Sequence, residues 1–273
     1  MLPALFRGLI LYVLLSVSVL CQGATERAEI LSRRAAAEFM DGKINEAASD
    51  FQEASRLGPL TDTDTFTFAM ALVKLGDETH ARPLLTALAD KYANQALYIY
   101  WLGRLDYSQR RYPEAVEKLT KASRLDPESA RVWDSLGLAF DMQGLMDRAL
   151  PAFQKAADLN RALTHPSAWP PHDLGFLLLR MDRTTEAEAS LREALRYDAN
   201  FAQAHYHLGR ALEKEARENE AIAEYRSAIS LDRTSAEACY SLAKLYKRLH
   251  RDSEATAMLA EYKRRKGETS GDR

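Results

Sequence analysis

Apolar residues recur along this chain in steps of three and four, and the steps come in pairs. Trp133, Leu136 and Phe140 mark one such run, and Ala149, Phe153 and Ala156 mark a second shortly after it. Steps of three and four put side chains on one face of a helix, so each pair of runs predicts two amphipathic helices. The pair repeats every 34 residues. Counted from Ala28, slot 20 holds Ala47, Ala81, Ala115 and Ala149; after a four-residue slip the count resumes at Ala168 and the same slot holds Ala187, Ala221 and Ala255. Slot 8 is always small (Ala35, Ala69, Gly103, Gly137, Gly175, Gly209, Ala243) and slot 24 always large (Phe51, Leu85, Leu119, Phe153, Leu191, Tyr225, Leu259). Slot 27 is alanine in five of seven copies, with Leu88 and Tyr262 as the exceptions.

The small slots let two helix axes approach, and the large slot fills the space beyond them. Gly42, Gly76 and Gly144 occupy slot 15, between the two runs, where a residue free to take positive φ ends a helix. One helical pair cannot bury both of its apolar faces. Stacked pairs can, and a fixed period of this length is the mark of a helical array. The expectation is an all-α chain with no sheet.

In these slots the chain resembles the tetratricopeptide repeat family. Trp133-Asp134-Ser135-Leu136-Gly137 matches the W-x2-L-G opening of that repeat, Leu102-Gly103, Leu174-Gly175 and Leu208-Gly209 match its second half, and Pro59 and Pro127 fill its proline slot. The resemblance implies a right-handed α-solenoid of seven helix-turn-helix repeats. Their boundaries are 28–61, 62–95, 96–129, 130–163, 168–201, 202–235 and 236–269, with a tail at 270–273. It implies a scaffold for protein or peptide partners, and one scaffold of this kind hosts many of them.

Several departures carry their own expectations. Arg34 stands at an apolar slot of repeat 1 and faces solvent. Thr61-Asp62-Thr63-Asp64-Thr65 are poor helix formers, so the first helix of repeat 2 is expected to start late. The slip at Thr164–Ser167 precedes Trp169-Pro170-Pro171, which places a longer loop there and a helix start near Pro170 or Pro171. The last helix is expected over Asp252–Lys266 as its own polar cap, with Arg265 among its solvated charges and Met258 and Leu259 leaving apolar surface for self-association.

The N-terminus differs in kind. Arg7 precedes the apolar run Gly8–Leu20, and Cys21-Gln22-Gly23-Ala24 follows. A basic residue, a short apolar core and small residues form the layout of a secretory signal over residues 1–23. This predicts an exported chain of the bacterial periplasm or envelope; an uncleaved signal-anchor is the alternative and would be its only membrane attachment. With the leader removed, Cys239 is the one cysteine, at an apolar slot, and no intrachain disulfide forms. The formal net charge of −2 gives no global field for nucleic acid.

No constellation predicts catalysis, a metal or a cofactor. His205 and His207 are two apart, so they point to different faces of a helix; His205 falls on a core slot and reads as a packed histidine. His165, His172 and Asp173 lie near the irregular loop, where polar residues cap helices. The resemblance assigns slots 2, 5, 9, 12 and 13 to a concave groove. Those slots give Tyr100, Arg104 and Tyr107 in repeat 3, Arg131, Asp134, Leu138 and Asp141 in repeat 4, His172, Phe176 and Arg180 in repeat 5, Tyr206, Arg210 and Lys214 in repeat 6, and Tyr240, Lys244, Lys247 and Arg248 in repeat 7. A ring four residues before a cation makes a helix neighbour of it. The stripe over repeats 5–7 is therefore expected to hold an extended or acidic segment of a partner protein. The competing reading is a carbohydrate or small-ligand binder built on Tyr98, Tyr100, Trp101 and Tyr107.

Overall fold

The computed structural model describes residues 23–232 and 236–271, and these form helices joined by short turns, with no strand among them. Helix α1 covers 23–40. It is followed by α2 (Ile44–Leu57), α3 (Asp62–Lys74), α4 (Glu78–Lys91), α5 (Ala96–Ser108), α6 (Tyr112–Leu125) and α7 (Ala130–Met142). Then come α8 (Met146–Arg161), α9 (Trp169–Arg180), α10 (Thr184–Tyr197), α11 (Ala202–Lys214), α12 (Glu218–Leu231), α13 (Glu237–Arg248) and α14 (Asp252–Gly271). Residues 1–22, which carry the expected leader, lie outside the described residues. Among the described residues no helix is long and apolar enough to cross a membrane.

The chain divides into two compact units, one ending at Gln109 and one beginning at Arg110. In the first, α3 packs on α2 and α4, and α4 packs on α5. Phe51 and Phe68 meet there with ring centroids 5.8 Å apart, within a core that includes Ala35 and Ala81. In the second, neighbours pack in sequence from α6 to α14, and α9 also touches α7 and α11. First helices of adjacent repeats therefore lie side by side in that unit.

The size pattern explains the packing. Every slot-20 alanine is at most 3% exposed. Slot 24 is fully buried from Phe51 through Tyr225, whereas Leu259, in the last pair, is 39% exposed. A β-carbon added to Gly137 would lie 2.6 Å from the Phe153 ring, and one added to Gly209 would lie 2.8 Å from the Tyr225 ring. At these two positions only glycine leaves room for the slot 24 ring.

The turns inside the pairs share one geometry. Gly42, Gly76 and Gly144 take positive φ, and so do Arg110, Asp182, Ala216 and His250, which occupy the same slot 15 without being glycine. The residue after it returns its N–H to the slot-11 carbonyl, as in Lys43 to Glu38 (2.8 Å), Arg183 to Leu178 (2.9 Å) and Arg217 to Leu212 (2.9 Å). That bond with a left-handed residue is the Schellman ending of a helix. The cost of the left-handed conformation falls on four side-chain-bearing residues. Ala216→Gly is therefore expected to stabilise the second unit by about 0.5–1 kcal/mol, read by urea denaturation; a neutral or destabilising result would show that the turn carries no such cost.

Two expectations need correction, and that for Arg34 needs an addition. Helix α3 starts at Asp62, not late: Thr61 accepts the Asp64 N–H at 3.1 Å, and Asp62 and Asp64 sit in the favourable first turn. Arg34 is exposed, but it is tied to the buried Asp50 of α2, with Nη2 2.6 Å from Oδ1. Helix α14 runs past Lys266 to Gly271, and Arg265 is 5% exposed instead of solvated.

The four-residue slip becomes a longer α8 and the linker 162–168. Helix α9 begins at Trp169, one residue before the expected prolines. Asn160 is 1% exposed and bonds Ser167 twice, donating Nδ2–H to its carbonyl and accepting its N–H, both at 2.8 Å. A buried side chain thus substitutes for missing backbone partners across the insertion.

Candidate functional site

A cavity of about 360 Å³ opens between α11 and α13. Arg210, Glu213 and Lys214 line it from α11, Tyr240, Ser241, Lys244 and Arg248 from α13, and Tyr225 closes its base. Five of the groove residues expected from the sequence therefore meet at one depression: Arg210, Lys214, Tyr240, Lys244 and Arg248.

The ring-and-cation pairs form as their spacing requires. Arg210 lies over the Tyr206 ring at 5.9 Å, Lys244 over Tyr240 at 5.9 Å, and Arg180 over Phe176 at 5.8 Å. Each is one helical turn apart, and such contacts contribute about 0.5–1 kcal/mol at exposed sites. Tyr206 Oη lies 3.5 Å from Ser241 Oγ on the facing helix.

The cations then separate into two kinds. Slot 13 residues tie one repeat to the preceding one. Arg180 bonds Asp141 of α7 at 2.6 Å, Arg248 bonds Glu213 of α11 at 2.8 Å, and Lys214 bonds Asp182 at the end of α9. The bond from Lys214 holds the Asp182 carboxyl below its ordinary range. Two slot 9 cations of this unit have no such partner: Arg210 and Lys244 form no ion pair among the described residues. Glu213, the acidic group nearest them, is already engaged, because Tyr225 donates its hydroxyl to it at 2.7 Å while Arg248 holds the other oxygen. Burial pushes the Tyr225 phenol up, and the neighbouring Glu213 carboxylate adds to it. This phenol stays a donor.

Other expected members fall elsewhere. Lys247 bonds Asp252, the first residue of α14, at 2.7 Å and does not line the cavity. Tyr100 is 8% exposed, with its ring 5.4 Å from Trp101, so it is a core residue and not a groove residue. Tyr98 packs on Phe66 and Tyr92 at 5.6 and 5.9 Å. Arg104 and Tyr107 are half-buried and belong, with these rings, to the first unit. Of the four rings of repeat 3, Tyr100 is buried and Tyr98, Trp101 and Tyr107 are half-buried.

His172, expected in the groove, is a buried residue, and its pairing with His207 is not announced by the sequence. His172 is 5% exposed, its Nδ1 lies 2.7 Å from Asp173 Oδ1, and its Nε2 lies 3.0 Å from His207 Nδ1. His207 stacks on Phe176 at 4.5 Å. Burial holds His207 at about 3, and the neighbouring His172 and Arg210 push it the same way. His205 behaves oppositely. It is half-buried, with Nδ1 2.6 Å from Glu224 and Nε2 3.1 Å from the Ala199 carbonyl, so both nitrogens face acceptors and suit the imidazolium. The Glu224 bond raises it above the ordinary histidine value. This link contributes stability below the unfolded pKa of about 6.5, and loses it as pH rises through the folded value. An imidazole NMR titration should find His205 titrating above a free histidine and His207 neutral throughout pH 5–8; the reverse order would refute both environments.

Among the described residues no group of three or more His, Cys, Asp or Glu is placed to hold a metal. Cys239 is fully buried, and burial pushes its thiol up, so it is a packing residue.

Against known families, a profile described as "Tetratricopeptide repeat" matches residues 100–162 and 172–238. The chain is a tetratricopeptide repeat protein. Among curated relatives of this repeat protein, the type IV pilus assembly protein PilF of Pseudomonas aeruginosa is 30% identical over 152 residues, covering 55% of this chain and 53% of PilF. Superkiller complex protein 3 of Mus musculus is 33% identical over 129 residues, 45% of this chain but 8% of that protein. The chain thus spans at most about half the length of these relatives. Among solved structures, Pseudomonas aeruginosa PilF superposes with a TM-score of 0.66 at 19% identity, over 81% of this chain and 99% of that one. YrrB, described as a TPR protein with an unusual peptide-binding site, gives 0.54 at 20% identity over 65% of this chain and 90% of its own. At these identities the structural likeness concerns the fold, and that fold is a scaffold for protein interaction.

Proposed function

We propose that this tetratricopeptide repeat protein is a non-enzymatic adaptor of the cell envelope that holds an extended or acidic segment of a partner protein between α11 and α13. The observation that carries the reading is the pair Arg210 and Lys244: two cations from consecutive first helices, without ion-pair partners among the described residues, on one concave depression beside Tyr240. A carboxylate placed between them gains two charge-assisted bonds, and the exposed Tyr240 ring adds rigid apolar area. The envelope setting is supported by the signal-like residues 1–23 and by the similarity to a pilus assembly protein. The seven repeat frames from 28 to 269 belong to the same reading, as does self-association through α14, where Leu259 stays exposed. For the carbohydrate reading only Tyr98, Trp101 and Tyr107 keep accessible ring surface, since Tyr100 is buried.

Arg210→Glu combined with Lys244→Glu tests this. Neither side chain ties helices together, so thermal unfolding should shift only by the loss of the two ring contacts within α11 and α13. Binding of labelled acidic peptides with free C-termini should weaken roughly tenfold or more at low salt, and wild-type binding should fall as salt rises. Undiminished binding by the double variant would remove the site from this cavity.

A further inference from the structure

The second unit carries another depression that shares no residue with the cavity between α11 and α13. Trp133, Leu136 and Phe140 of α7 form the floor of a cavity of about 610 Å³ between α6 and α8. A second cavity of about 540 Å³ adjoins it at Asp147 and Arg148, and is lined by Leu145, Met146 and Met181. Together they make one apolar trough. Volumes of this size accept several bulky side chains.

The Trp133 indole gives its N–H to the Pro127 carbonyl at 2.8 Å, which fixes the ring and leaves only carbon surface for a ligand. Leu145 and the neighbouring Met142 are 37% and 49% exposed, so apolar area continues onto the turn. The rim is basic. Arg124 and Arg148 form no ion pair among the described residues, and Arg148 lies over the Phe140 ring at 4.2 Å, poised above the floor. Lys155 reaches Glu128 only at 3.7 Å, and Asp147 is the single carboxylate in the lining.

We infer that this trough docks an acidic amphipathic helix of a protein partner, with bulky apolar side chains on one face and carboxylates beside them. An apolar floor selects anchors spaced three and four residues apart, as in other helix-in-groove contacts. Three cations against one carboxylate select the flanking acids and disfavour a basic helix. The trough is concave, which inserted side chains fill and a bilayer surface does not. The protein would then carry two independent docking faces, one for an extended acidic segment and one for a helix.

The test is selection from a displayed pool of helical peptides about four turns long, randomised over their surface, against the intact protein. Retained peptides should share apolar residues at i, i+4 and i+7 with flanking Asp or Glu. Their affinity should fall roughly tenfold or more in Arg124→Glu/Arg148→Glu, and should be unchanged in Arg210→Glu/Lys244→Glu. Circular dichroism of both variants should match the wild type, and melting should shift only by the loss of their ring contacts. Failure to retain any peptide, retention of peptides without acidic flanks, or equal binding by the Arg124/Arg148 variant would overturn the inference. Loss in the Arg210/Lys244 variant instead would assign the peptides to the other cavity, and displacement by phosphatidylglycerol vesicles would make the face a lipid surface. Because the two double variants report separately, failure here leaves the α11–α13 reading standing.

Discussion

Gly137→Ala is expected to cost about 1–3 kcal/mol through overpacking, against about 1 kcal/mol that alanine's better helix propensity returns. The new β-carbon would lie 2.6 to 2.9 Å from three ring carbons of Phe153. That ring is 1% exposed and packed in the α7–α8 interface, so it cannot swing away. A smaller partner should relieve the clash. Phe153→Leu alone leaves a cavity and destabilises, but combined with Gly137→Ala the loss should be clearly less than the sum of the two. Urea denaturation of the two singles and the double completes the cycle. Strict additivity would show that slots 8 and 24 do not touch in the way the fold requires. Gly175→Ala should be at least as costly, because its β-carbon would meet Leu191 at 2.8 Å and the Ala187 carbonyl oxygen at 3.1 Å, and backbone yields less than a side chain.

That complementarity was legible in the sequence because it is periodic. A small residue facing a large one sixteen places later recurs seven times, and the ring-cation pairs Tyr206–Arg210 and Tyr240–Lys244 follow from a single helical turn. What was not legible depends on contacts between repeats or on conformation hidden behind side-chain identity. Arg180 and Arg210 look alike in one stripe, yet Arg180 is bound to Asp141, 39 residues away, and Arg210 is not. His172 and His207 meet across 35 residues, with no local spacing to announce the pair. Ala216 and His250 take the same left-handed turn as Gly42, though nothing in an alanine or a histidine signals positive φ. Thr61-Asp62-Thr63-Asp64-Thr65 reads as weak helix by propensity, but its first residues are the capping chemistry of a helix start.

Arg265→Ala is expected to destabilise the C-terminal pair by about 2–3 kcal/mol, although the residue stands in a run of charges that reads as a solvated helix end. Arg265 is 5% exposed. Its Nη1 donates to the Asp232 carbonyl at 2.9 Å and the Ile229 carbonyl at 3.4 Å, and its Nε to Glu261 at 2.7 Å. These carbonyls close α12, whose last turn has no other cation. One guanidinium therefore supplies the donors missing at a helix end and places its positive charge at the negative pole. Removing it takes a donor from each of those acceptors and leaves Glu261 to Arg264. Both arginines hold the Glu261 carboxyl at about 2, so their contribution is present above the unfolded value near 4.5 and is lost as pH falls towards 2. The substitution should weaken that acid dependence without abolishing it. Arg265→Lys should recover only part of the loss, since an ammonium cannot fork between two carbonyls and a carboxylate. Hydrogen exchange should show faster opening in α14 and in the last turn of α12, with α7 and α8 unaffected. Unchanged exchange and unfolding in Arg265→Ala would mean that the buried guanidinium is only a bystander.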